Sequence, residues 1–93
     1  MELPVNYNKT KGKKRKLVRE EYVLIQDGKC CHCGEPLDGS PAQEVTDYKI
    51  DKSLFPIGMF NHPVHLHHNH NTGMTIGAIH AQCNAYLWQY QGE

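Results

Sequence analysis

Residues 64–91 read "VHLHHNHNTGMTIGAIHAQCNAYLWQYQ", and the reading of this stretch decides the fold. "VHLHH" alternates apolar and polar residues, as a half-buried strand does. "NHNTGM" carries Asn, Thr and Gly and reads as a loop, and the β-branched "TIGAIH" reads as a second strand. In "AQCNAYLWQYQ", Cys83, Leu87 and Tyr90 recur at i, i+4, i+7, which predicts a helix stopped by Gly92. The order is strand, loop, strand, helix, an α+β arrangement without internal repeats.

Working back towards the N-terminus, residues 42–62 give a weak signal, with one short strand expected over 45–50. Leu54, Phe55, Met59 and Phe60 in this insert are expected to cover the knuckle or the hairpin, with contact to substrate as the alternative. "CCHCGEPLDGSP" is dense in turn formers and reads as a knuckle presenting Cys30 and Cys33. In "LVREEYVLIQDG", Val18, Tyr22 and Ile25 form a helical stripe flanked by Leu17 and Leu24. Gly28 stands where a left-handed cap is expected. Residues 1–16 lack periodicity and are expected as a flexible basic arm, leaving one domain over 17–93.

The chain has 93 residues and a formal net charge of +0, yet seven of its ten Lys/Arg lie between Lys9 and Arg19. A basic block on an otherwise neutral domain points to a polyanion, with Lys11, Lys13, Lys14, Arg15, Lys16 and Arg19 as nucleic-acid contacts. The bland alternatives are a solvated tail or, in "KKRK", a nuclear import signal. No apolar run approaches the ~18 residues of a membrane span, and no secretory signal is read. A cytoplasmic setting follows, since three of the four cysteines crowd into "CCHC", which is poor geometry for disulfides.

A metal is the better use for those thiols. Cys30 and Cys33 form C-x2-C, and His80 and Cys83 form H-x2-C at a helix start, where residues three apart share one face. Together they make the closed Cys3His set that structural zinc prefers. The 46 residues between the pairs mean that the ion would tie distant parts of a small, thin-cored chain together. Cys31, read as a spare and partly buried thiol, and His32 are the rival ligands, His32 as a substitute for His80.

The remaining cluster is His65, His67, His68 and His70. Exposed hairpin histidines or a second zinc site would explain it equally well by count. Asn84 shifts the balance, because it follows Cys83 and is rotated about 100° from the zinc face, towards the hairpin. With "DGKCCHCGEPL" upstream, "HLHHNHNTGMTIGAIHAQCNA" resembles the HNH, or ββα-metal (His-Me finger), nucleases, and among them the phage recombination endonuclease VII type. The resemblance spans about residues 20–90, without the middle insert.

That resemblance implies a zinc-stapled, metal-dependent DNA endonuclease with an N-terminal helix. It implies His68 as general base, His67 and Asn84 as ligands of a catalytic divalent ion, and His65 and His70 as supporting groups. Cys30, Cys33, His80 and Cys83 match the structural zinc quartet. Phosphodiester hydrolysis suits these types: imidazole is a base near neutrality, and a cation stabilises charge on the leaving oxygen. The sequence departs from the branch at His67, where Asp is usual. An imidazole and an amide without a carboxylate suit Mn2+ or Ni2+ better than Mg2+. Asp47 or Asp51 would serve as a third ligand only by folding back, and both read as exposed loop acids. Ile76 stands where related sequences often carry a basic residue, so one phosphate contact is expected from the arm instead. A DNA-nicking monomer in a bacterial or phage-infected cell is expected, with a homodimer as the alternative. The rival functions are a non-catalytic zinc-knuckle DNA-binding adaptor and an RNA-directed nuclease of the same architecture. Trp88 and Tyr86 read as core and edge packing, with a stacking contact to a base as the alternative, and Tyr22 reads as core.

Overall fold

The structure is a computed structural model that describes residues 1–92. Helix α1 spans Gly12–Ile25, a short helix α2 spans Gln43–Thr46, strands β1 (Val64–His68) and β2 (Thr75–His80) follow, and helix α3 spans Ala81–Gln91. Short 3-10 turns lie at Tyr7–Lys9, Lys52–Leu54 and Met59–Asn61. Among the described residues no helix is long and apolar enough to cross a membrane.

The expected hairpin forms, with β1 and β2 antiparallel from Val64 opposite His80 to His67 opposite Gly77. The next pair is His68 with Thr75, so Ile76 has no opposite number and the ladder bulges between His67 and His68. A bulge bends a strand and re-aims its side chains. This resolves a difficulty in the sequence, where adjacent strand residues ought to point to opposite faces.

The core is built where α1 and α3 meet β2. Val18, Tyr22, Ala78, Ile79, Cys83 and Leu87 are buried together, with Leu37 and Val45 closing the sides. Burying a side chain such as Ile79, which is wholly enclosed, contributes roughly 1.5–3 kcal/mol. Few such residues are available, so the apolar core is thin. The α1 stripe is narrower than its periodicity suggested. Val18 and Tyr22 enter the core, but Ile25 is 63% exposed and Leu24 76%, because the hairpin covers only one side of the helix. Helix α3 ends as expected, with Gly92 at φ 72° and its N–H donating to the Leu87 carbonyl.

Gly77 is required by close approach. A Cβ there would lie 2.7 Å from Gln26 Oε1 and 2.9 Å from the Cys31 Cβ. Gln26, just past α1, accepts from Ala78 N–H (2.8 Å) and donates to the Ala78 carbonyl (2.9 Å) through its side-chain amide. Cys31 N–H donates to that same carbonyl at 3.0 Å, which docks the knuckle on β2.

Two expectations give way. Residues 45–50 contain no strand; the segment forms α2, which buries Val45 and packs against α3. Residues 1–16 are seated on the hairpin instead of hanging free. Tyr7 N–H donates to Gly73 O (2.7 Å), Thr75 N–H to Val5 O (2.9 Å), and Val5 N–H to Thr75 Oγ1 (3.0 Å). The helix already starts at Gly12, since Lys and Arg are good helix formers and Arg15 bonds back to the Tyr7 and Thr10 carbonyls.

Candidate functional site

The zinc quartet assembles as expected. One ligand atom from each of Cys30, Cys33, His80 and Cys83 lies within 4.8 Å of the others, and the group can hold a metal such as zinc. His80 Nδ1 is 3.4 Å from Cys33 Sγ and 3.7 Å from Cys83 Sγ. Bond lengths of about 2.0 Å for Zn–N and 2.3 Å for Zn–S at a tetrahedral angle require a separation of about 3.5 Å. The residues therefore fit the ion.

The surrounding bonds prepare each ligand. The His80 Nε2–H donates to the Pro36 carbonyl at 2.8 Å, which fixes the tautomer and leaves Nδ1 with its lone pair towards the thiols. Cys30 Sγ accepts from the backbone N–H groups of His32 (3.4 Å) and His80 (3.5 Å). The Cys83 thiol, aided by these N–H groups, holds Cys30 down to about 3, and the same contact together with burial pushes Cys83 up. A bound cation would replace the proton between these sulfurs and hold them as thiolates. His32 stays outside this group; it is exposed and its ring is tilted 40° to that of Tyr86, with centroids 5.7 Å apart. Cys31 is exposed as a residue, but its sulfur end abuts Gly77. Burial of the thiol, with the nearby Cys30 charge, pushes it up to about 11, and Cys31 stays outside the Cys3His group.

On the other flank of α3, a cleft of about 300 Å3 gathers the second set of residues. His65, His67, His68 and His70 border it, as does Asn84. Arg15 and Arg19 of α1 close one side. The bulge after His67 allows both adjacent histidines to reach this space, His67 buried and His68 half-buried. Asn84 makes its direct contact with His65, donating from Nδ2 to Nδ1 at 3.3 Å. The other nitrogen of that ring, Nε2, donates to the Met59 carbonyl at 2.8 Å. His65 is thereby held neutral with its proton on Nε2. Burial, followed by the charges of His62 and Arg19, keeps its pKa below the usual imidazole value against the Met59 bond, which raises it.

His68 sits in a stack. Its ring lies 3.9 Å from the Tyr7 ring and 4.7 Å from that of His70, within 5° and 8° of parallel. The Arg15 guanidinium covers the far face of the stack, 3.7 Å from the Tyr7 centroid. Burial, then the fields of His70, His67 and Arg15, lowers the His68 pKa, which favours the neutral ring. Stacking occupies ring faces and leaves the nitrogens at the edge available for proton transfer.

Two residues of the cleft went unnoticed in the sequence, Tyr7 and His62. Tyr7 lies in a segment without periodicity, so nothing local marked it. His62 is the remaining histidine near the cluster, and its type alone was a signal. Of the basic residues, Lys11, Lys13, Lys14 and Lys16 are exposed on the first turns of α1, while Arg15 and Arg19 face the cleft. Asp51 is exposed and caps the turn at Lys52–Leu54 through Ser53, and Asp47 ends α2; neither borders the cleft. Trp88 is more exposed than expected, at 47%, and meets Phe55 edge-on.

Comparison with family models, with curated proteins and with solved structures finds no match to this chain.

Proposed function

We propose that the protein is a metal-dependent DNA endonuclease of the HNH type, stapled by zinc and cutting phosphodiester bonds in the histidine cleft. The observation that carries this reading is the convergence of four hairpin histidines, Asn84, Arg15 and Arg19 on one cleft, opposite the Cys3His cluster.

Each residue has a chemical task. His68 takes a proton from the attacking water, a role open to a neutral imidazole with free edge nitrogens. Tyr7 and His70 hold that ring from both faces. His65 grips the amide nitrogen of Asn84, which turns the amide oxygen into the ligating end. His67 supplies the second ligand. A divalent cation held by His67 and Asn84 would stabilise the charge on the scissile phosphate and the leaving oxygen. Arg19 attracts the phosphate, and the lysines on α1 bind neighbouring phosphates without reading sequence. Arg15 contributes its charge while its guanidinium stays bonded to the Tyr7 carbonyl (3.0 Å).

Supercoiled-plasmid nicking by zinc-loaded protein, with and without added Mn2+, tests the proposal. Nicking should require the added ion. His68→Ala should lose about 10²–10⁴-fold in rate, with zinc content and DNA binding unchanged. Wild-type protein that binds DNA but never nicks it, or His68→Ala that nicks normally, would reject the hydrolytic role. The first result would leave a zinc-knuckle DNA-binding adaptor. A parallel RNA digestion identifies an RNA-directed nuclease.

A further inference from the structure

Beside the histidine cleft lies a second cavity, of about 270 Å3, whose walls are of the opposite character. Phe55, Pro56, Met59 and Trp88 line it, while His70 and Asn84 border both cavities and form the boundary between them. We infer that this apolar cavity receives an unpaired nucleobase next to the phosphate held in the histidine cleft, so that the substrate is DNA with single-stranded character at the cut. This rests on the nuclease reading of the neighbouring cleft.

The walls suit a flat ring. Phe55 meets the Trp88 indole edge-on at 5.3 Å, and Phe60 in turn meets Phe55 edge-on at 5.9 Å, so the aromatic platform is braced from behind. Trp88 is nevertheless 47% exposed, and Leu54 beside it 49%. Aromatic surface left open next to a polar cleft is a mark of binding rather than of packing. The size is below the roughly 300–1,000 Å3 of a drug-sized site, which admits one ring system and is too small for a helix face.

Charge selects the occupant. Among the described residues no carboxylate borders either cavity, while Arg15, Arg19 and the imidazoles border the cleft. A ligand that spans both needs an anionic group joined at short range to a planar apolar one. A nucleotide has that form, and its phosphate and base are separated only by the sugar. A base inside a duplex reaches such a cavity only by leaving its stack, and the cost of leaving is of the same order as the gain from aromatic stacking. A single strand keeps the whole gain. Duplex DNA keeps little of it.

Trp88 is the only tryptophan in the chain, so its fluorescence reports on this cavity alone. The zinc-loaded protein, without added divalent ion so that no cutting occurs, is titrated with a short single-stranded oligonucleotide. The controls are a blunt duplex and an abasic strand of equal length. The single strand should quench Trp88, and the abasic strand and the duplex should bind with little quenching. Affinity for the single strand, read from the anisotropy of a labelled oligonucleotide, should fall about tenfold in Trp88→Ala and be largely kept in Trp88→Phe. Equal quenching by the abasic strand or the duplex, or none by any strand, overturns the inference. The wild-type quenching decides even if Trp88→Ala fails to fold. Quenching without nicking rejects the nuclease reading, and nicking without quenching rejects only the base cavity.

Discussion

Tyr7 and His68 lie ring on ring, their centroids 3.9 Å apart and their planes 5° from parallel. The contact joins the N-terminal segment to the end of β1, across 61 positions of sequence. Tyr7 is held by its own backbone bond to Gly73 (2.7 Å) and by Arg15 above its ring. In the proposed reaction it would be a positioning residue, acting through His68. A stacked aromatic pair is worth about 0.5–1.5 kcal/mol, or up to roughly tenfold in rate where it is felt only at the transition state. Tyr7→Ala should therefore lower kcat by up to about tenfold with KM little changed, and Tyr7→Phe should restore it. A merely structural role would show as equal loss in both variants, or as a change in KM alone.

Removing a zinc ligand should act on the fold before it acts on the chemistry. Cys83 is wholly buried within the core as well as in the Cys3His cluster. Cys83→Ser is expected to lose bound zinc by elemental analysis and to melt well below the wild type. Chelation of the wild-type protein should do the same, because apparent binding energies of about 10–16 kcal/mol for such sites are also folding energies. A zinc-free variant of unchanged melting temperature would refute the staple.

The proposed catalytic ligands, His67 and Asn84, offer an imidazole and an amide. Magnesium binds oxygen ligands and keeps its waters, whereas manganese and nickel accept imidazole readily. Nicking rates measured across titrations of each ion should be higher with Mn2+ or Ni2+ than with Mg2+. His67→Asp should move the preference towards Mg2+. Equal or faster turnover of the wild type in Mg2+ would contradict the ligand assignment.

Acid should weaken the protein through His65. Burial lowers the pKa of this ring in the folded state, while the unfolded chain keeps the ordinary value near 6.5. Between the two values the unfolded state binds more protons, so stability rises with pH in that window. The contribution is complete above about 6.5 and is lost as pH falls through the lowered folded value. In urea denaturation at pH 7.5 and 5.5, the wild type should lose more stability on acidification than His65→Gln, which has no ring to protonate. Identical losses would show that His65 carries no such linkage.

Much of the fold could be read from local patterns. The alternation of "VHLHH" and the branched residues of "TIGAIH" set the hairpin, and the paired spacings of Cys30, Cys33, His80 and Cys83 set the metal cluster. These features are legible because they repeat at the period of the element that carries them. The N-terminal segment was not legible, since its order comes from backbone bonds to Gly73 and Thr75 and from the ring of His68. Such contacts leave no trace in local composition. For the same reason α2 was read as a strand: four residues are too few to show a period, and Val45 is fixed by α3. The apolar insert around Phe55 reaches the hairpin as expected, through the Met59 carbonyl on His65, and also packs on Trp88 of α3, which local composition did not show.

The side-chain amide of Gln26 pairs with both backbone groups of Ala78 as a neighbouring strand would. Farther along β2, the Val5 carbonyl accepts from Thr75 N–H and the Val5 N–H donates to the Thr75 hydroxyl. Exposed ribbon margins recruit other chains and nucleate aggregates. Here borrowed partners from two distant segments occupy backbone groups of Ala78 and Thr75 along the outer margin of β2, which blunts it as a template for a second copy of the chain.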